Sequence, residues 1–374
     1  MGFRVATDFD GGALGPIESL TENRLRAAIP RDWDQDRFNT QATWYYFRLD
    51  GLAGRPAEVV LTGLGSVYNG RPSPGGIIQD DQPVVSDDQR TWRKLTAATF
   101  DEAARTYTIP LEPTGDRLWV AALEPYVAAD LESLRLEVQG HPELRVETCG
   151  RSVEGRPIEL WSIGAEEAAT SAWVIARQHA WETHTSFCME GLVRWLLSDE
   201  AREVRRRCVF KLLPLVDPDG VVAGASRFNR LGYDTNRHWD ETEPGNPEHR
   251  RLRPEICAAK EPLLAWLAGG RQVALHLNLH DTQVDYMAAV PALSAHPVLR
   301  GVYQRLCEAR FSGPLRLGDS LSGTAQVALY HELGIPAALI ELGTARLPTY
   351  GDFPTAADRV RFGADLGRAI AATV

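Results

Sequence analysis

Four apolar runs of strand length, each running out into residues capable of chemistry, constrain this chain more than any other feature. They are SAWVIAR (residues 171–177), CVFKLLPLV (208–216), VALHLNLH (273–280) and PAALIELG (336–343). Around them the spacing turns helical. Met189, Leu192, Val193, Leu196 and Leu197 mark one face of a helix, and EICAAKEPLLAWLAGG (255–270) reads as a second, ending at glycine. Val298, Leu299, Val302 and Leu306 mark a third, TAQVALYHELG closes a fourth at Gly334, and a fifth runs through Arg359 to Ala372. Strands alternating with helices imply an α/β fold whose sheet contains parallel pairs.

The N-terminal part reads differently. TWYYFRLDGL, PAEVVLTGLG, DEAARTYTIPL and DRLWVAALEP are short strand-like runs separated by Gly, Pro and Asp turns, the pattern of an antiparallel β-sandwich. A hairpin turning near Glu154-Gly155 then opens the α/β part. The expected organisation is a β-sandwich domain over 1–130, then an α/β domain over 131–374 with a mixed, mostly parallel sheet flanked by helices. Residues 240–254 (DETEPGNPEHRRLRP) read as a polar, Pro-containing loop without periodicity.

Composition narrows the partners. A chain of 374 residues with 44% hydrophobic and 24% charged residues can bury a sizeable core. A net charge of −10 argues against nucleic acid or an anionic membrane as main partner. Five cysteines, an odd number without a C-x-x-C pair, read mostly as buried thiols of a reducing compartment. The start, MGFRVATDFDGG, lacks the apolar core of a signal peptide, and no 18-residue apolar stretch exists. A cytoplasmic protein is expected.

In an open α/β sheet, ligands gather at the carboxyl ends of strands. His179 and Glu182 follow the first run, Asp217 and Asp219 the second, His280 and Asp281 end the third, and Glu341 ends the fourth. H-x-x-E alone is a weak signal: nine histidines make a chance match unsurprising, and a second copy, His238 to Glu241, lies in a polar loop. The first copy sits at a strand-to-helix turn, where both side chains can face one point. Zinc favours imidazole nitrogen and carboxylate oxygen and keeps a fourth position for water, so His179, Glu182 and His280 are candidate ligands. Taken alone, either histidine fits a hydrogen-bonded core position equally well. His276 and Asn278 share the sheet face of His280 and read as buried polar support. Arg227, Arg230 and Arg237, with Asn236, follow the second strand. They suit a bidentate grip on a carboxylate or, more plainly, a solvated loop.

These segments resemble the zinc carboxypeptidases of the funnelin type, in particular their cytosolic carboxypeptidase branch. RQHAWET, PLVDPDG, YDTNRHW, LNLHD and ALIELG resemble the family's motifs in order and spacing, and TWYYFRLDGL and LEPYVAADL resemble the β-sandwich preceding that branch's catalytic domain. The resemblance implies one zinc held by His179, Glu182 and His280, and Glu341 as general base and then acid. It implies that Asn236 and Arg237 hold the substrate's C-terminal carboxylate and that Arg227 stabilises the oxyanion. The substrate would be the C-terminus of a peptide or protein. Departures stand out. Arg227 follows Gly224-Ala225-Ser226 instead of Gly-Asn-Tyr, which makes Arg230 its rival. Asp281 replaces a glycine, and RLGDSLSGTA lacks the family's mobile tyrosine, for which Tyr286, Tyr330 and Tyr350 are the possible substitutes. In GTAQV, Gln326 stands where the branch often has an arginine that favours glutamate, so a neutral last residue is expected. The alternatives are a related zinc amidase or deacylase, acting on an N-acyl amino acid or cell-wall-type peptide, and a catalytically degenerate binding protein.

Overall fold

A computed structural model of the chain describes residues 2–73, 81–319 and 322–374. The chain divides into two compact units, Met1–Ala128 with Gly220–Gly232, and Ala129–Asp219 with Tyr233–Val374. The segment Gly220–Gly232, which the sequence reading kept inside the second domain, thus packs with the first unit.

The first unit is built from period-two alternation. Phe47 and Leu49, Leu118 and Val120, Val59 and Leu61, and Tyr107, Ile109 and Leu111 alternate along their strands and share one core. They belong to two five-stranded sheets, accompanied by a small four-stranded sheet. Pairing among the described residues is antiparallel except between Arg24–Ala28 and Ala57–Thr62, which run parallel.

The second unit centres on an eight-stranded sheet. Its strands are β1 (Leu144–Arg151), β2 (Pro157–Ile163), β3 (Thr170–Ile175), β4 (Val209–Leu213), β5 (Gln272–Thr282), β6 (Tyr286–Ala289), β7 (Leu315–Leu317) and β8 (Ala337–Gly343). Their order is β1-β2-β4-β3-β5-β8-β6-β7. The middle four, β4-β3-β5-β8, are mutually parallel, so their carboxyl ends lie along one edge. Helices α1 (Thr183–Leu196), α3 (Pro297–Glu308) and α5 (Ala356–Ala371) cover one face through Met189, Leu192, Val302, Phe362 and Leu366. Helices α2 (Pro254–Ala268) and α4 (Ala325–Leu333) cover the other through Ile256, Leu263, Trp266, Ala328 and Leu329. The sheet is therefore buried on both faces, as its continuous apolar strands require. In β5 the alternation divides cleanly: Leu275, Leu277 and Leu279 enter the first core, and His276, Asn278 and His280 face the other way.

One expectation changes, and the reading of the cysteines as mostly buried thiols holds. Residues 240–254 are not all loop, because Pro247–Leu252 forms a short helix whose N-cap, Asn246, accepts from the backbone of Glu248 and His249. An Asn-Pro step supplies cap and first helical residue together. Cys188, Cys208 and Cys257 are buried, whereas Cys149 is half-buried and Cys307 exposed; all five are free. Among the described residues no helix is long and apolar enough to cross a membrane.

Helices α1 and α5 touch backbone to backbone. A Cβ on Gly191 would lie 1.8 Å from the Val360 carbonyl oxygen, and one on Gly363 1.9 Å from that of Cys188. Gly363→Ala must therefore push the helices apart. A loss of about 1–3 kcal/mol, the usual scale of overpacking, is expected in urea unfolding, and an unchanged midpoint would show that the helices separate freely.

Candidate metal centre and active site

The centre is assembled where β3, β5 and β8 end. β3 stops at Ile175, and Arg177 adopts a left-handed φ of 56° that turns the chain out of the sheet. Its buried guanidinium donates to Ser186 Oγ at 3.1 Å and to the Ala180 carbonyl at 2.6 Å, so the loop carrying His179 and Glu182 is wound around it. The backbone N–H groups of Val216 and Asp217 donate to Ala176 and Arg177, tying this loop to the segment after β4. His280 and Glu341 are direct cross-strand partners in the parallel β5–β8 pair. Register thus places the fourth strand end beside the third.

His179, Glu182 and His280 are all buried, and their ligand atoms lie within 4.8 Å of one another. Nδ1 of His179 is 2.7 Å from Glu182 Oε1, Nδ1 of His280 is 2.9 Å from Oε2, and the two Nδ1 atoms are 3.2 Å apart. The outer nitrogens have their own partners. His179 Nε2 faces Asp234 Oδ1 at 3.0 Å, and His280 Nε2 faces Gln178 Oε1 at 3.2 Å. A proton on His179 Nε2, donated to Asp234, leaves that ring's Nδ1 lone pair pointing inward at a carboxylate. His280 Nε2 is faced by the Gln178 oxygen at 3.2 Å and by the Asn236 and Asn278 amide nitrogens at 3.0 and 3.2 Å. Two imidazole nitrogens and an anion that converge in a buried space suit a cation between them, and this donor set fits zinc, with Asp234 orienting the first ring from outside. Burial works against ionisation of Glu182, and the pull that brings its carboxyl down to about 2 comes from positive charge on His179 and His280; with neutral rings that charge has to come from a bound cation.

Asn236 is buried beside His280, its Nδ2 3.0 Å from His280 Nε2, and its Oδ1 accepts from the Ala325 N–H at the start of α4 at 3.0 Å. Both ends of this amide are therefore engaged inside the protein. Arg237 is half-buried, and one of its guanidinium nitrogens donates to the Asn236 carbonyl at 2.8 Å. Asn278 Nδ2 contacts Asn236 Oδ1 at 3.3 Å and the buried Gln326 Oε1 at 3.4 Å. His276 packs edge-on to Trp239, and burial pushes its imidazole down to about 3, so it stays neutral.

Glu341 is half-buried. Tyr286 donates to its Oε1 at 3.3 Å, and its Oε2 is buried with no hydrogen-bond partner among the described residues. Burial pushes this carboxyl above its usual range. Asp281, the departure from glycine, accepts from the His184 N–H at 2.9 Å; burial and the nearby Glu182 charge raise it well above the ordinary carboxylate range.

Other sequence candidates lie elsewhere. The second H-x-x-E does close, with His238 Nδ1 3.0 Å from Glu241 Oε2, but Glu241 is exposed and no third ligand joins it among the described residues. Arg227 and Arg230 belong to the segment that packs with the first unit, where Asp32 accepts from the backbone N–H groups of Ser226 and Arg227 at 2.6 Å. Tyr350 is bonded to Arg359, and Tyr330 lies on α4 against His331. In RLGDSLSGTA, Ser320 and Leu321 lie outside the described residues. Gln178 was missed by sequence reasoning, and Asp234 was quoted within a motif but given no role. They stand one residue before a ligand and 55 residues after it, and only the closed fold brings them to its two histidines.

Residues 131–283 match the zinc carboxypeptidase family, and residues 5–123 match the cytosolic carboxypeptidase N-terminal domain. The chain carries a zinc carboxypeptidase domain preceded by a cytosolic carboxypeptidase N-terminal domain. Human cytosolic carboxypeptidase 1 is 36% identical over 397 aligned residues, 87% of this chain and 31% of that protein. An uncharacterized Zymomonas mobilis protein is 30% identical over 253 residues, 66% of this chain and 62% of that one. The chain thus spans less than two thirds of either relative. A Burkholderia cenocepacia metallo-carboxypeptidase structure shares the fold, with a TM-score of 0.85 at 23% identity over 99% of this chain and 98% of that one. Zinc is the metal the family implies.

Asp234→Ala leaves all three ligands but frees the outer nitrogen of His179. Zinc affinity should fall by about 10–100-fold, the scale of losing such a partner, in competition with a chromophoric chelator. Unaltered affinity would detach Asp234 from the metal centre.

Proposed function

We propose that this chain is a zinc-dependent metallocarboxypeptidase that removes C-terminal residues from peptides or protein tails. The observation that carries this reading is the convergence of His179, Glu182 and His280, with Glu341 set beside His280 by strand register. One zinc per chain, held by these three residues, would supply Lewis acidity for the scissile carbonyl and a water of lowered pKa. Glu341 takes the proton of the attacking water and returns it to the leaving amine. A carboxyl whose pKa is raised by burial suits both transfers near neutral pH.

Arg237 is the group offered to the substrate's terminal carboxylate, because its planar guanidinium can bind both oxygens at once. Asn236, assigned to the same task by resemblance, also braces His280 and α4. The oxyanion role of Arg227, with Arg230 as its rival, rests on motif order alone.

Side-chain preference follows from Gln326. It is buried and uncharged, and its amide oxygen faces Asn278. A glutamate side chain entering there would lose hydration without an ion-pair partner, at a cost of several kcal/mol. Each ~1.4 kcal/mol is tenfold in rate or affinity, so neutral last residues are preferred.

Glu341→Gln should keep about one zinc per chain by elemental analysis while turnover drops by ~10²-fold or more. Full activity in that variant would remove Glu341 from the chemistry.

Substrate choice is tested on peptides differing only in a last residue of Glu, Gln, Leu, Phe or Lys, each as free acid and as amide, read by mass spectrometry. Only free acids should be shortened, with Glu among the poorest. Equal cleavage of acid and amide would mean an amidase or endopeptidase. Glu as the best substrate would move specificity to another cation, Arg316 first.

A further inference from the structure

We propose that Tyr286 is a positioning residue for Glu341: its phenol holds Oε1, which leaves Oε2 as the oxygen that exchanges protons. This rests on the reading of Glu341 as the general base.

Tyr286 stands directly opposite Glu341 in the antiparallel β6–β8 pair. Its hydroxyl donates to Oε1 at 3.3 Å, long for such a bond. Hydrogen bonds to catalytic groups are often this loose before substrate is present. The two carboxylate oxygens are thereby distinguished. Oε1 has a donor, while Oε2 is buried with no partner among the described residues.

The strand start that carries the ring is anchored. The preceding residue, Asp285, accepts from the Gly343 N–H at 2.7 Å and pairs with the buried Arg359 at 3.6 Å. Arg359 also donates to the Gly343 carbonyl. The start of β6 is thus tied to the end of β8 next to the Tyr286–Glu341 pair, and the ladder continues on its other side through Met287 and Ile340. A tyrosine on a strand held in this way is placed to serve the base. The exposed Arg316 guanidinium lies 3.8 Å from the ring centroid. A cation over a phenol ring is attracted to its π face and, by drawing electron density, makes the hydroxyl a stronger donor.

Tyr286→Phe keeps the ring and removes only the hydroxyl. On a peptide that the unaltered enzyme cleaves, kcat should fall roughly tenfold or more, as expected for a lost hydrogen bond to a charged group. KM should stay within about twofold, and zinc content should not change. Arg316→Ala should lower kcat in the same direction by a smaller factor. The decisive measurement is a double-mutant cycle. Tyr286→Phe should cost nothing further in a Glu341→Gln background, whereas a merely structural tyrosine would cost the same in both. An unchanged kcat in Tyr286→Phe, a rise in KM alone, or an equal loss in the Glu341→Gln background would each overturn the assignment. Glu341→Gln serves as the separate control. If it retains full activity, the base assignment itself falls. If it is impaired while Tyr286→Phe is not, only the role of Tyr286 falls.

Discussion

Two imidazole lone pairs and a carboxylate pointed at one buried space repel one another, and much of the second unit is arranged to hold them there. Asp234 sits on the outer nitrogen of His179, so that ring cannot turn its proton inward without losing a partner, while Gln178, Asn236 and Asn278 surround the outer nitrogen of His280. Glu182 ionises against its own burial only with positive charge beside it, on the histidines or on a cation they share. Removing charged groups from water costs several kcal/mol per ion unless something of opposite sign is close. A divalent cation meets that requirement, and residues 131–283 match a family named for zinc.

The scaffold that tolerates this repulsion is the parallel centre of the sheet. Parallel strands end on the same edge, so residues 98 to 101 positions apart in the chain come within hydrogen-bonding distance at the ends of β3 and β5. Register then decides what stands next to the ligands: Glu341 opposite His280 on one side of β8, and Tyr286 opposite Glu341 on the other. Close packing of α1 on α5 at Gly191 and Gly363 fixes the helix that follows Glu182. From α5, Arg359 reaches Gly343 and Asp285, linking that helix to the strand that carries Glu341. His280 and Glu341 thus stand on neighbouring strands, while His179 and Glu182 come from the loop braced by Arg177.

A large part of this was legible in the chain. The four apolar runs became β3, β4, β5 and β8, and the helical faces between them became α1 to α5. His179, Glu182 and His280 were nameable because each follows or ends an apolar strand, and their convergence needed only the rule that strand ends share an edge. Other roles were not legible. Gln178 and Asp234 look like ordinary polar residues within their motifs, and Tyr286 suggested a cap and not a partner of Glu341, because nothing local says which distant side chain each will face. The helix at Pro247–Leu252 has too few apolar residues to show a period, and only its Asn-Pro cap announces it.

What the sequence by itself determined is the inventory: which segments are strands, which residues stand at their carboxyl ends, and which metal those residue types favour. These follow from periodicity and ligand chemistry, which are properties of short stretches. What only the tertiary structure decided is pairing: which nitrogen of each histidine faces inward, which oxygen of Glu341 is held, and that Asn236 spends its amide inside the protein. It also decided that Gly220–Gly232 packs with the first unit and not with the strands on either side of it. Such choices depend on register and on contacts between residues tens to hundreds of positions apart. Their energies arise only once the chain has closed.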